Sequence, residues 1–328
     1  MAKANQLKAL LKAYSVGDQN QFLSIAEQLA AHESRLGHKQ VAEDFQKLIA
    51  DVRSRTQTIG EPLRSITPIS QPKGELNGLL SVSYPKQRLV DLILPTALHN
   101  RLERIIKEQR HAGRIRSHGL HPRRKILFVG PPGTGKTLSA AVLAGELSLP
   151  LFEVRLERLI TRFMGETAAK LRLIFDGIAQ TRGVYLFDEF DSIGSQRGLP
   201  NDVGEIRRIL NSFLQFIDAD SSQSLILAAT NHPELLDYAL YRRFDDVIRY
   251  ELPNAAQITQ TLQAKLASVR KSWKSWKPLT EQAKAMSYAE IVRACEDAIK
   301  HMLISNQDTL SEEHVAEALK ERKAIAYT

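Results

Sequence analysis

Residues 130–137 read Gly130-Pro131-Pro132-Gly133-Thr134-Gly135-Lys136-Thr137, directly after the apolar run Ile126-Leu127-Phe128-Val129 and directly before a helical pattern over Leu138–Leu147. This is a complete GxxxxGK[ST] in the strand–loop–helix setting that gives the motif its meaning. Gly133 and Gly135 allow backbone N–H groups to wrap phosphates, and the helix N-terminus adds its dipole. Lys136 is spaced to reach the β- and γ-phosphates, and Thr137 to offer a hydroxyl to Mg²⁺. The stretch Gly130 to Leu138 is therefore the candidate nucleotide-binding segment, with ATP and Mg²⁺ as the expected ligands.

A second apolar run, Val184-Tyr185-Leu186-Phe187, ends in Asp188-Glu189. Two carboxylates at the exit of a buried strand are costly unless they meet a cation or a polarised water. Asp188 is the expected outer partner of Mg²⁺. Glu189 is placed to orient or deprotonate an attacking water, which is hydrolysis rather than transfer to a second substrate.

The elements that must position these groups follow from patterning. Between 79 and 253 short apolar runs alternate with longer amphipathic ones, as in strand–helix units building a parallel sheet. The predicted strands are 126–129, 151–154, 184–187, 225–228 and 247–250, and beyond 253 the pattern is helical. Upstream, Leu7, Leu10, Leu11 and Tyr14, then Phe22, Ile25, Ala26 and Leu29, then Val41, Phe45, Leu48 and Ile49, fall at three- and four-residue spacing, which predicts a small helical bundle. Residues 56–74 are dense in Pro, Ser, Thr and Gly and read as a linker. The expected organisation is a docking bundle over 1–55, a linker over 56–78, an α/β nucleotide-binding subdomain over 79–253 and a helical lid over 254–328.

The chain has 328 residues, 43% of them apolar, and a formal net charge of +8. No stretch approaches the roughly 20 apolar residues of a membrane span, the first residues form an amphipathic pattern rather than a secretory signal, and the cytoplasm is the expected compartment. The single cysteine, Cys295, excludes a disulfide framework and reads as a buried small residue. A basic run lies between Arg101 and Lys125. No aromatic residues interleave with it, so a solvated helix face is the simpler reading than a nucleic-acid surface.

The segment from Leu225 to Asp245, Leu-Ile-Leu-Ala-Ala-Thr-Asn-His-Pro-Glu-Leu-Leu-Asp-Tyr-Ala-Leu-Tyr-Arg-Arg-Phe-Asp, resembles the second region of homology of the classical clade of AAA ATPases. The resemblance covers about 80 to 320 and implies a P-loop NTPase fold. It makes Asn231 the sensor that contacts the γ-phosphate and the water, and Arg242 and Arg243 the fingers that enter the neighbouring subunit's site. Leu159-Ile-Thr-Arg-Phe-Met-Gly-Glu166 resembles the family's pore loop, which grips an extended polypeptide in a central channel, through Phe163, Met164 and Gly165. The loop over 196–204 falls where a second pore loop belongs, and Glu205, Arg207 and Arg208 follow it. Two departures stand out: Arg242 precedes Arg243-Phe244-Asp245 where the family has glycine, and in Ala285-Met-Ser-Tyr-Ala-Glu-Ile291 the residues Tyr288 and Glu290 replace smaller or shorter ones.

The resemblance implies a homo-oligomer, a hexamer by family habit, acting on a protein substrate. No HExxH or GxSxG occurs in the chain, so any destruction of a substrate would need a separate protease. The plan is similar to small bacterial AAA ATPases paired with subtilisin-like serine proteases in anti-phage defence. A nucleic-acid-directed loader or transposition regulator is the alternative, carried by the basic run and by Trp273 and Trp276 among lysines. A switch that only binds nucleotide is disfavoured by the joint presence of Lys136, Asp188, Glu189, Asn231 and the arginine pair.

Overall fold

The structure, a computed structural model, describes residues 74–159, 164–190, 202–236 and 238–326, together with Ile25, Ala26, Leu29, Ala30 and Asp44. The chain divides into two compact units, 1–69 and 70–328. In the first, Ile25, Ala26, Leu29 and Ala30 are helical, and Ala26 and Ala30 are buried one turn apart. The rest of the expected bundle lies outside the described residues.

In the second unit the elements are β1 (Leu80–Ser83), α1 (Thr96–Arg110), β2 (Lys125–Val129), α2 (Lys136–Leu147), β3 (Leu151–Val154), α3 (Met164–Gln180), β4 (Val184–Phe187), α4 (Asp202–Ala219), β5 (Leu225–Thr230), β6 (Asp246–Arg249), α5 (Ala255–Lys265), α6 (Lys277–Gln282), α7 (Tyr288–Ile304) and α8 (Glu312–Ala326). The strands form one sheet in the order β1-β3-β4-β5-β2-β6. All neighbours are parallel except the edge strand β1, which runs antiparallel to β3. Every residue of β4 and β5 is buried, as expected where helices cover both faces of a parallel sheet.

Alternation along the strands builds the two layers. Leu127, Val129, Tyr185, Phe187, Ile226 and Ala228 pack against α3 and α4 on one face. Ile126, Phe128, Val184, Leu186, Leu227 and Ala229 pack against α1 and α2 on the other. A third core, centred on Leu262, Ile291, Cys295 and Leu319, belongs to the lid helices α5 to α8. Together these make the expected α/β P-loop fold with a C-terminal helical lid.

Two details add to this. Leu76–Leu79 is a helical turn whose Leu76 packs on the sheet core beside Gly177 of α3. Within the lid, Lys271 and Leu310 form a parallel bridge that ties the α5–α6 connection to the α7–α8 turn.

Candidate nucleotide site

The loop between β2 and α2 holds three glycines at positive φ: Gly130 at 148°, Gly133 at 71° and Gly135 at 100°. At two of them the reason is crowding as well as backbone shape. A Cβ on Gly130 would run into the backbone carbonyl of Tyr250, and one on Gly133 would lie 2.5 Å from Ser287 Oγ at the start of the lid helix α7. Gly135 is the N-cap of α2 and has no side chain to cap it. The first-turn N–H groups of α2 are thus left for a ligand, the arrangement that suits an anion.

Lys136 is buried, and its ammonium donates to the carbonyls of Gly130 and Pro131, both at 2.8 Å, and to Asn231 Oδ1 at 2.7 Å. Asn231 follows β5, the neighbour of β2, so the sheet order itself brings the two together. Thr137 Oγ1 donates to Asp188 Oδ2 at 2.6 Å. Asp188 Oδ1 accepts the backbone N–H of Glu189 at 2.9 Å. Glu189 takes the left-handed region at φ 50°, an uncommon conformation for a residue with a side chain. Phe187 and Phe190 on either side are fully buried against Phe213, and Phe190 N–H donates to Ala229 O at 2.9 Å. The two aromatic anchors hold the carboxylate pair at the strand exit, with Glu189 exposed.

These groups line one cavity of about 510 Å³. It contains Pro132 to Leu138, Asp188, Glu189 and Asn231, so the structure gathers most of the sequence-predicted nucleotide residues in one place. Its remaining walls are made by Asp91 to Leu94, Thr261, Lys265, Tyr288, Ala289 and Val292. Sequence reasoning missed these. No motif marks the 91–94 segment, and Thr261 and Lys265 show only as positions four apart on a lid helix.

Thr137 and Asp188 present two hard oxygen donors side by side, a donor set that fits Mg²⁺, which takes one or two protein oxygens and completes its shell with phosphate and water. Among the described residues no group of three or more His, Cys, Asp or Glu could hold a metal by itself.

Arg242 and Arg243 follow the short helix Tyr238–Tyr241 and are exposed. Neither lines the cavity. Arg243 is paired with Asp218 near the end of α4, while Phe244 is buried and Asp245 accepts the N–H groups of Arg124 and Lys125 at 2.8 and 2.9 Å. Met164 and Gly165 open α3. Phe163, and the second loop up to 201, lie outside the described residues.

The basic run is largely engaged within the unit. Arg101 pairs with Asp246, Arg104 and Arg123 with Glu108, Lys107 with Glu103, Arg110 with Glu146 and Arg124 with Asp220. Trp273 and Trp276 meet edge to face at 5.5 Å and pack on the lid core. Six cations of the run thus have acidic partners within the unit, and the two tryptophans are half-buried against the lid.

A family model for the ATPase family associated with various cellular activities (AAA) matches residues 126–252. An uncharacterized AAA family ATPase, y4kL, of Sinorhizobium fredii is 36% identical over 98% of this chain and 96% of its own length. The ATP-dependent zinc metalloprotease FtsH 1 of Methylacidiphilum infernorum is 40% identical over 47% of this chain and 25% of its own. The putative 26S proteasome regulatory subunit homolog of Methanothermobacter thermautotrophicus is 31% identical over 61% of this chain and 55% of its own. This chain therefore spans about a quarter to a half of those two longer proteins. The crystal structure of the FIGL-1 AAA domain superposes with a TM-score of 0.61 at 24% identity, covering 79% of this chain and 90% of that one.

Proposed function

The chain belongs to the AAA family of ATPases, and on that premise we propose that it is a ring-forming ATP hydrolase that remodels or threads a protein substrate. The observation that carries the hydrolytic reading is the convergence of Lys136, Thr137, Asp188, Glu189 and Asn231 on one cavity. Gly130 to Leu138 hold the phosphates, with Lys136 neutralising the β- and γ-oxygens. Thr137 and Asp188 would hold Mg²⁺, which would supply positive charge to offset that developing on the phosphate in transfer. Glu189 accepts a proton from the attacking water, and Asn231, which already shares its amide oxygen with Lys136, positions that water and the γ-phosphate.

Neither Arg242 nor Arg243 lines the cavity of its own chain, which supports their acting in trans, from a neighbouring subunit. An arginine supplied that way contributes about 10³–10⁵ in kcat. Closed symmetry lets every copy both give and receive fingers, and the hexamer is the form proposed. The protein substrate is supported by the relatives, whose names include ATP-dependent proteases and a proteasome regulatory subunit homolog. Phe163, Met164 and Gly165 are the proposed gripping loop.

The N-terminal unit is proposed to dock a partner. A separate subtilisin-like serine protease in an anti-phage defence pair is the partner this reading carries forward, with the cytoplasm as the compartment. The test is a pull-down from the native host with Glu189→Gln and ATP, read by mass spectrometry. A protein client or protease in the trap is expected; recovery of nucleic acid without a protein client would replace this reading with the loader class.

A further inference from the structure

Tyr250 is the residue at which the sheet hands over to the lid. It follows β6, and residues 251–253 then lead to Asn254, the cap of α5. Its backbone is held against the phosphate loop. Tyr250 N–H donates to Val129 O at 2.7 Å, and its carbonyl packs so closely on Gly130 that no Cβ fits between them. Gly130 O in turn accepts the Lys136 ammonium. The root of the lid and the lysine of the phosphate loop therefore meet at the same residue.

The Tyr250 ring meets Phe128 edge to face at 5.5 Å, and its hydroxyl lies beside Ser139 of α2. Burial pushes the phenol up, and the nearby Ser139 hydroxyl offsets part of that rise. Both residues are inaccessible, Tyr250 at 3% and Ser139 at 0% exposure. Neither oxygen meets a partner in hydrogen-bond geometry. Two buried hydroxyls that lie side by side without alignment are a cost to the fold. A cost of that kind kept in place calls for a use. Ser139 supplies one through its helix. It lies in the first turn of α2 with Lys136 and Thr137, and its N–H closes that turn on Gly135 O at 2.8 Å.

We propose that Tyr250 is a positioning residue for ATP hydrolysis: its hydroxyl and that of Ser139 join in a hydrogen bond as the reaction proceeds, locking α2 to the root of the lid. The lock fixes Lys136 and Thr137, on the same helical turn, against the phosphates. This rests on the cavity being the site of hydrolysis. An interaction made in the reacting state and not before it lowers the barrier without tightening binding.

The test is a double-mutant cycle on the full chain with Tyr250→Phe, Ser139→Ala and the pair. Steady-state ATPase assays give kcat and KM, calorimetry gives ADP affinity, and thermal melting gives Tm. Each single change should lower kcat by about threefold to tenfold, the worth of one hydrogen bond. KM and ADP affinity should stay within about twofold, as for an interaction absent from the ground state. The pair should lose no more than either alone, because both changes remove the same bond. Tm should hold or rise throughout, since each change deletes a hydroxyl that is unaligned in the native fold.

A wild-type kcat in Tyr250→Phe would overturn the proposal, as would losses that multiply in the pair. A Tm lower by several degrees in Tyr250→Phe would assign the hydroxyl to a standing structural bond, direct or through water, and would also overturn it. A raised KM with kcat unchanged would move Tyr250 from the reaction to binding, with the same result. A wild-type chain that binds ADP but turns over no ATP removes the hydrolase reading, and the lock with it, while leaving the nucleotide site intact.

Discussion

Lys136 and Asn231, 95 residues apart in sequence, share a hydrogen bond of 2.7 Å between the lysine ammonium and the asparagine amide oxygen. The contact joins the residue that begins α2 to the residue that follows β5, and it separates two kinds of work. In the proposed mechanism Lys136 binds phosphate and Asn231 places what reacts with it. Asn231→Ala is therefore expected to keep ADP affinity within a few-fold while kcat falls by about a hundredfold, the loss typical of one preorganised polar group. Lys136→Ala is expected to lose both. Calorimetry and steady-state ATPase assays on the two variants check the split, and equal losses of affinity in both would contradict it.

Glu189→Gln keeps the shape of the site and removes the proposed base. ATP should remain bound over the time of gel filtration while turnover drops below about one hundredth of wild type. Asp188→Asn, by contrast, should weaken Mg²⁺-dependent binding, because it alters the oxygen pair that Thr137 and Asp188 present at 2.6 Å. Mg²⁺ titrations of ATP affinity distinguish the two.

Arg242→Ala and Arg243→Ala should each leave nucleotide affinity unchanged in dilute protein and should reduce the activity of concentrated protein. Specific activity of the wild type should rise with concentration as subunits meet. Mixing Arg242→Ala/Arg243→Ala with Glu189→Gln should restore part of the turnover, since each supplies what the other lacks across an interface. Activity that does not change on dilution to nanomolar protein would rule out fingers acting in trans.

Gly133→Ala places a methyl group at φ 71° and 2.5 Å from Ser287 Oγ. The expected cost exceeds about 1 kcal/mol, because alanine is strained in that region even without a clash. Thermal melting should show a lower Tm, and ADP affinity should fall with it, since the P-loop and the lid helix meet at this residue.

Alkali is expected to destabilise the lid before it affects the charge pairs. Burial holds the Cys295 thiol up at about 12 against an ordinary value of 9.0, and the Tyr250 and Tyr185 phenols are also pushed up by burial. A group whose pKa is raised on folding contributes stability that is complete below its unfolded value and is lost as pH rises toward the folded one. Stability from Cys295 is therefore intact below about pH 9 and declines between about 9 and 12. Native protein at pH 8 should resist alkylation of this thiol, and urea-unfolded protein should react at once; ready labelling of the native chain would refute the burial argument.

The chemistry was more legible in the sequence than its setting. The runs at 151–154 and 184–187 match β3 and β4 residue for residue, because strands covered on both faces are largely apolar: β4 is so throughout, and β3 is interrupted only by the half-buried Glu153. The edge strand β1 was missed: Leu80-Ser81-Val82-Ser83 alternates, is only four residues long and leads into Tyr84-Pro85, a pattern shared by many loops. Lys136 and Asp188 were readable because phosphate chemistry demands fixed residue types at fixed offsets from strands, whereas Asn231 was readable only through the resemblance of residues 225–245 to a family pattern. The other walls of the cavity were not, since they carry no motif and come from 91–94, α5 and α7. Tyr288 showed in the sequence as a departure from a family pattern, and only the fold reveals that it faces the same cavity as Lys136.

The bond from Ala289 to Gly133 ties the first turn of α7 to the phosphate loop, and α7 then runs for 17 residues. At 1.5 Å per residue that is an arm of about 25 Å. A rotation of about 10° at the phosphate end carries the other end through roughly 4 Å, which is larger than the change in length of any single hydrogen bond. Leu303 and Ile304 sit at that far tip and are 62% and 82% exposed. Bond breakage at one end of a stiff rod can in this way become displacement of an apolar knob at the other, with the P-loop as fulcrum and the lid as the moving beam.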